Sequence, residues 1–285
     1  AMAKINLGLD VLRRRENGYH DVKMIMQTVN LYDEITIEKS NEEGIVVSVD
    51  HAELPVNEDN LIYKSAKLMY EKFDISKGVH ISLHKNIPIA AGMAGGSTDA
   101  AATFVGMNRL FGLGAGDEEL EALAVKVGAD VPYCLHGGTY LSEGIGEKLT
   151  KIEDAPNCYV VIAKPEISVS TKFVYENLHA NELKYHPDID SLKEKIQEND
   201  LFGMVGYMEN VLETVTEKTY PIIGEIKQEL KDAGALHSLM SGSGPTVFAL
   251  FEQEEVAKAA LLKIREKGLV KQSFCTTFIK ETCIE

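Results

Sequence analysis

A chain of 285 residues that is 45% hydrophobic and 26% charged has the composition of a folded globular protein, long enough for one large domain or two ordinary ones. Its formal net charge of −15 argues against nucleic acid or an anionic membrane as the main partner. No apolar run approaches the roughly 20 residues that cross a bilayer.

The chain opens on AMAKINLGLDVL, which reads as a strand and runs at once into Arg13, Arg14 and Arg15; it is too short to be a secretory signal. VVSVD (46–50) and VHISLHKN (79–86) read as further strands by β-branched content or alternation. Between them, NLIYKSAKLMYEKF sets Leu61, Ile62, Ala66, Leu68, Met69 and Phe73 at helical spacing. PIAAGMAGGSTDAAATFVGMNRLFG runs from Pro88 through a glycine-rich turn into an Ala-rich helix starting near Ser97. DEELEALAVKVGA predicts a helix from near Asp117, ending near Gly128. The Val131-Pro132 pair then predicts an extended backbone that projects Asp130 into a cleft. The Gly-rich stretch GGTYLSEGIGEKL precedes a domain boundary, giving residues 1–152 and 153–285.

Beyond it come a strand (CYVVIAKP), helices through Leu230, and two strands (ALHSLM, TVFALF) flanking SGSGP. A helix (EEVAKAALLKIREKG) and a last strand (SFCTTFI) close the chain. The order β-α-β-β-α-β predicts a ferredoxin-like layer with extra helices. The run ELKYHPDIDSLKEKIQEND reads as a solvated helix with its lead-in loop. None of Cys134, Cys158, Cys275 and Cys283 forms a CxxC pair, so reduced thiols in the cytoplasm are expected and a structural zinc is not. His80, His84, His136 and His237 show no metal-ligand spacing.

The informative segment is PIAAGMAGGSTDAAA (88–102). Gly92, Gly95 and Gly96 permit close backbone approach to a ligand. The following helix points its unpaired N–H groups and positive dipole end at the loop, an anion site that needs no lysine. There is no GxxxxGK[ST] here, so this is no P-loop. The plain alternative is a tight turn capped by Ser97 or Thr98 before a buried helix.

AKINLGLDVL, PIAAGMAGGSTDAAA and SLMSGSGPTVFAL resemble, in order and spacing, the three motifs of the superfamily of galactokinase, homoserine kinase, mevalonate kinase and phosphomevalonate kinase. RRRENGYHDV and GADVPYCLHGG (128–138) resemble the branch that phosphorylates 4-diphosphocytidyl-2-C-methylerythritol in the non-mevalonate isoprenoid route. Met93 and Thr98 depart from the usual loop, and members usually carry more chain before AKINL. The resemblance implies an α+β kinase fold, an ATP-binding N-terminal α/β domain followed by a ferredoxin-like one. It implies transfer of the ATP γ-phosphate to the C2 hydroxyl of the acceptor, with Mg²⁺.

It also implies roles. Lys4 and Asp130 form the catalytic pair, the carboxylate taking or orienting the hydroxyl proton and the ammonium keeping it ionised; a buried structural ion pair is the alternative. Asn60 reads the adenine edge or caps a helix, and Pro88, Ala90, Ala91, Gly92, Met93, Ala94, Gly95, Gly96, Ser97 and Thr98 hold the nucleotide. Tyr19 and His20 read cytidine, with Tyr175, or failing it Phe173, as a second ring near Thr171. Asn6 holds acceptor hydroxyls, and Gly242 in SGSGP approaches the phosphates, unless SGSGP is a plain hairpin turn. A monomer or weak homodimer is expected. The rival readings are a homoserine or mevalonate kinase without a cytidine pocket, a non-catalytic nucleotide-binding regulator lacking Lys4 or Asp130, and an RNA-binding module, which the charge disfavours.

Overall fold

Apolar and polar side chains alternate along the first strand, and the alternation divides its two faces between a core and a cleft. The computed structural model describes residues 1–280; Cys283 lies outside them. Strand β1 (Met2–Arg14) pairs antiparallel with β2 (His20–Tyr32), Lys4 opposite Thr28 and Arg14 opposite His20. Ala3, Ile5 and Leu7 enter one core, while Lys4 and Asn6 line the cleft.

Strands β3 (Glu34–Ser40) and β4 (Ile45–Val49), helix α1 (Leu61–Phe73) and β5 (Gly78–His84) follow, the sheet running β3-β5-β4. Next come α2 (Gly95–Phe111), α3 (Asp117–Val127) and α4 (Val131–His136), then β6 (Thr139–Gly144) and β7 (Lys148–Lys151). These last two complete the sheet β1-β2-β6-β7.

The second half holds β8 (Tyr159–Lys164), α5 (Thr171–Asn177), α6 (Ile189–Gln197), α7 (Leu201–Tyr207), α8 (Glu213–Thr219) and α9 (Ile222–Asp232). Strands β9 (His237–Met240) and β10 (Val247–Phe251), helix α10 (Glu254–Glu266) and β11 (Gln272–Thr277) complete it. The antiparallel order β11-β8-β10-β9 is the ferredoxin-like layer expected from the strand and helix sequence.

Two expectations are corrected, and the Gly-rich stretch before the boundary proves to be paired strands. Val131–His136 is a helix and not extended chain: Pro132 sits in its first turn, where a missing N–H costs nothing, and burial of Val131 and Tyr133 outweighs the pre-proline bias. The stretch 137–149 is mostly the β6–β7 hairpin. Helix α6 is no solvated helix, because Ile189, Leu192 and Ile196 repeat at three and four residues and are all buried. It lies against β1 where a Cβ on Gly8 would meet Leu192 Cδ2 at 2.5 Å and Ile189 Cδ1 at 2.8 Å. That close approach requires glycine.

Candidate active site

The catalytic candidates converge at the cleft floor. Strand β1 presents Lys4, 5% exposed, whose Nζ donates to Asn6 Oδ1 at 2.7 Å and lies 3.7 Å from Asp130 Oδ2. Asn6 Nδ2 in turn meets Met24 Sδ at 3.2 Å, so the amide orientation is set and its oxygen faces the ammonium. Asp130 is the residue before α4, in helical backbone, and its side chain makes no capping hydrogen bond. Its carboxylate is 30% exposed and therefore free to meet a ligand while the ammonium beneath it stays dry.

The glycine loop lies beside this pair. The Lys4 backbone N–H donates to Met93 O at 3.1 Å, tying the loop to β1. Ala90, Gly92 and Ala94 have φ of 50, 73 and 57°, which turn the chain sharply into α2. A Cβ on Gly92 would stand 2.2 Å from Ser241 O, so only glycine lets this loop meet SGSGP. Ser241 Oγ donates to Gly92 O at 2.9 Å across the same contact.

The expected cap is corrected: α2 begins at Gly95 behind Ala94 with no side-chain cap, because Ser97 and Thr98 already sit inside the first turns. The early amides of the helix therefore remain available to an anion. Ser97 lines the cleft. Thr98 does not: its N–H donates to Ala94 O at 2.9 Å and its hydroxyl meets the Cys134 thiol. It has nothing to offer a nucleotide. A Cβ on Gly95 would meet Lys85 Nζ at 3.0 Å and Ile87 Cγ2 at 3.2 Å, so Gly95 faces the protein beneath the loop and Gly96, exposed, faces the cleft.

Pro88, Ala90, Ala91, Met93 and Ala94 also line this half, as does Asn60. Asn60 is the N-cap of α1: Oδ1 accepts from Ile62 N at 2.9 Å and Nδ2 donates to Pro55 O at 2.7 Å. Capping uses both ends of that amide; one proton and one lone pair remain for a base.

At the other end lie Tyr19, 60% exposed, with His20, Thr171 and Tyr175. The His20 and Tyr175 rings are 5.1 Å apart at 47°. Burial, with Arg14 nearby, pulls the imidazole below its ordinary value and leaves it neutral, able both to donate and to accept. Burial, with the Asp130 charge, holds the Tyr175 phenol protonated. Phe173 stands 39% exposed, whereas Tyr175 lines the cleft. Thr171 Oγ1 meets Ser243 Oγ at 2.8 Å, which joins the acceptor end to SGSGP, and Gly242 lines the cleft between.

Sequence reasoning missed Asn210, whose Nδ2 donates to Met240 O and Gly242 O, both at 2.8 Å, and so holds SGSGP in place. It also missed Asp33, Lys85 and Asp99 under the glycine loop. Each stands among other polar residues that look alike in sequence, and only the tertiary fold brings the right ones together. Among the described residues no group of three or more His, Cys, Asp or Glu is placed to hold a metal.

An elongated cleft of ≈ 850 Å³, with an amide-lined anion site at one end, aromatic rings at the other and a Lys–Asp pair between, is the site of a small-molecule phosphotransferase. Models of the N-terminal and C-terminal domains of the GHMP kinases match residues 60–138 and 176–269. The 4-diphosphocytidyl-2-C-methyl-D-erythritol kinase of Lachnoclostridium phytofermentans is 54% identical, over 98% of this chain and 96% of its own. That of Acetivibrio thermocellus is 52% identical over 90% of each. A solved 4-(cytidine 5'-diphospho)-2C-methyl-D-erythritol kinase superposes with a TM-score of 0.83 at 30% identity, covering 98% of this chain and 97% of its own. The mevalonate kinase of L. major, 18% identical with a TM-score of 0.75 over 98% and 96% of the two chains, shares the fold alone. The chain belongs to the GHMP kinases and, among them, to the family of the 4-diphosphocytidyl-2-C-methyl-D-erythritol kinases.

Proposed function

We propose that this kinase moves the ATP γ-phosphoryl to the C2 hydroxyl of 4-diphosphocytidyl-2-C-methyl-D-erythritol, with Asp130 and Lys4 at the reacting hydroxyl. The observation that carries the reading is the 3.7 Å Lys4–Asp130 pair between two differently lined ends of one cleft. Asp130 accepts or orients the hydroxyl proton, and Lys4 keeps the carboxylate ionised close to the incoming phosphates. Asn6 orients Lys4 and, lining the cleft, offers an acceptor hydroxyl the amide proton and lone pair that its fixed contacts leave over.

The first amides of α2 hold the phosphates, with Gly92, Gly96 and Ser97 at the cleft and Gly242 closing from the other half. Asn60 and the apolar walls Leu54, Leu61 and Leu83 take the adenine. Tyr19, His20 and Tyr175 take the cytosine, a group for which a homoserine or mevalonate kinase has no use. Mg²⁺ suits this site as an ion carried by the nucleotide. The Ser97 hydroxyl is one hard oxygen at the loop that would meet it, and the ion would neutralise charge on the phosphates.

We further assign residues 1–152 to the nucleotide-binding domain and 153–285 to the ferredoxin-like domain, acting in the cytoplasm as a monomer or weak homodimer. Free, buried Cys134 and Cys158 suit a reducing compartment, and among the described residues no helix is long and apolar enough to cross a membrane.

An ADP-release assay with ATP and Mg²⁺ over 4-diphosphocytidyl-2-C-methylerythritol, mevalonate, phosphomevalonate and homoserine tests the acceptor. Turnover is expected with the cytidyl compound. Turnover of homoserine or mevalonate, and none of the cytidyl compound, would overturn the assignment.

A further inference from the structure

Beneath the glycine loop lies a buried ionic cluster with no part in the roles assigned above. Lys85 Nζ is shared by Asp33 Oδ2 and, at 2.8 Å, Asp99 Oδ2; the three side chains are 5, 0 and 4% exposed. Two carboxylates face one ammonium, and Asp99 Oδ1 has no hydrogen-bond partner among the described residues. Burial, with Asp33 beside it, pushes the Asp99 carboxyl up to about 7 against the pull of Lys85. Clusters of this kind are poor sources of stability, and apolar side chains of similar volume commonly do as well. Its connections show what it holds.

Asp33 Oδ1 accepts from Asn86 N at 2.6 Å and Ile87 N at 2.7 Å, the two residues that lead into Pro88. Asp99 stands in the second turn of α2, just beyond the other end of the loop. One ammonium therefore ties together both ends of residues 88–98. Between those ends the loop has few side-chain supports: α2 lacks a cap, and three loop residues have positive φ. The spacing of its ends then governs where the amides of Gly95, Gly96 and Ser97 point.

We propose that Asp33 is a positioning residue for the phosphate loop: through Lys85 and the Asn86 and Ile87 amides it locks both ends of residues 88–98, setting ATP affinity without touching ATP. The proposal rests on the reading of that loop as the ATP phosphate site. Asp33 is fully buried and does not line the cleft, whereas Lys85 and Asp99 do, so its effect on the nucleotide passes through them and the loop they hold.

The test is steady-state kinetics on the full chain, with melting curves. Asp33→Asn keeps size and an oxygen to accept from the Asn86 and Ile87 amides but sets an N–H₂ against the Lys85 ammonium. The KM for ATP is expected to rise about tenfold or more, while the KM for 4-diphosphocytidyl-2-C-methylerythritol stays within about twofold. A residue that only stabilises the fold would lower the Tm and leave both KM values alone. Gly96→Asp reports on the loop itself: its carboxylate suits a helix N-terminus but repels phosphate there. If Gly96→Asp raises the ATP KM and folded Asp33→Asn does not, the proposal is overturned and the loop reading stands. If Gly96→Asp leaves the ATP KM unmoved, the loop reading falls and the proposal with it. Should Asp33→Asn fail to fold, Asp99→Asn takes its place, keeping an acceptor for Lys85 without the charge. An unmoved ATP KM in that variant overturns the proposal.

Discussion

Lys4 and Asp130 differ in burial in the way a transfer site requires. The ammonium is locked beneath the floor by Asn6, whereas the carboxylate reaches the cleft. A structural ion pair would gain from a closer contact than 3.7 Å; this one leaves room for a hydroxyl to meet the carboxylate. Asp130→Asn keeps the shape and removes the base, so kcat should fall by about 10²–10⁴-fold with the ATP KM little changed. Lys4→Ala should fall comparably, and the double variant by less than the product, because the groups act as a unit. Near-normal kcat in a folded Asp130→Asn would make the pair structural. That Lys4 and Asp130 would stand together was legible in the sequence through the motifs that carry them. Asp33 and Lys85 were not, since a single charged residue at a strand end looks like any surface residue until its partner, 52 positions away, is found.

At the scale of elements, the glycine loop, α1, α2 and the ferredoxin-like strands followed from periodicity and turn residues. Strand β2 was not foreseen, and its burial shows why. The strand is buried along Met24–Val29 with Gln27 and Thr28 inside, so it shows no simple polar and apolar faces. Gln27 is held by Thr139 Oγ1, which donates to its Oδ-equivalent oxygen, Oε1, at 2.6 Å, and by the Thr28 and Ile279 carbonyls its Nε2 donates to; none of these is visible in a local window. Helix α6 was misjudged for the opposite reason: six charged side chains from Asp188 to Glu198 masked a narrow stripe at Ile189, Leu192 and Ile196. That stripe covers β1 at Gly8, close to the strand that carries Lys4 and Asn6. Leu192→Ala should therefore cost about 2–5 kcal/mol of stability, read as a lower denaturant midpoint. It should reduce activity only in proportion to the unfolded fraction. A loss below about 1 kcal/mol would show that α6 is peripheral after all.

Across the whole molecule, neither half closes its own core. One hydrophobic cluster takes Ile5, Leu7 and Ile25 from the first half and Ile162, Leu192, Phe248 and Leu250 from the second. Leu9 bridges to Asn210, and Val29 to Phe278, so backbone pairing crosses the proposed boundary as well. The cleft follows the same division: Lys4, Asp130 and the glycine loop come from one half, and Thr171, Tyr175 and Gly242 from the other. A rigid shared core keeps those two sets in register before any substrate arrives, which is the condition for in-line transfer. Thermal unfolding should then be one cooperative transition, with calorimetric and van't Hoff enthalpies that agree. If ATP binds only the assembled cleft, as proposed, it should shift that transition as a whole, by about 2.7 kcal/mol at a hundred times its Kd. Scanning calorimetry with and without ATP decides the matter. Two resolved transitions, with ATP moving only one of them, would mean that the halves fold independently and that the cleft is brought into register only when substrates bind.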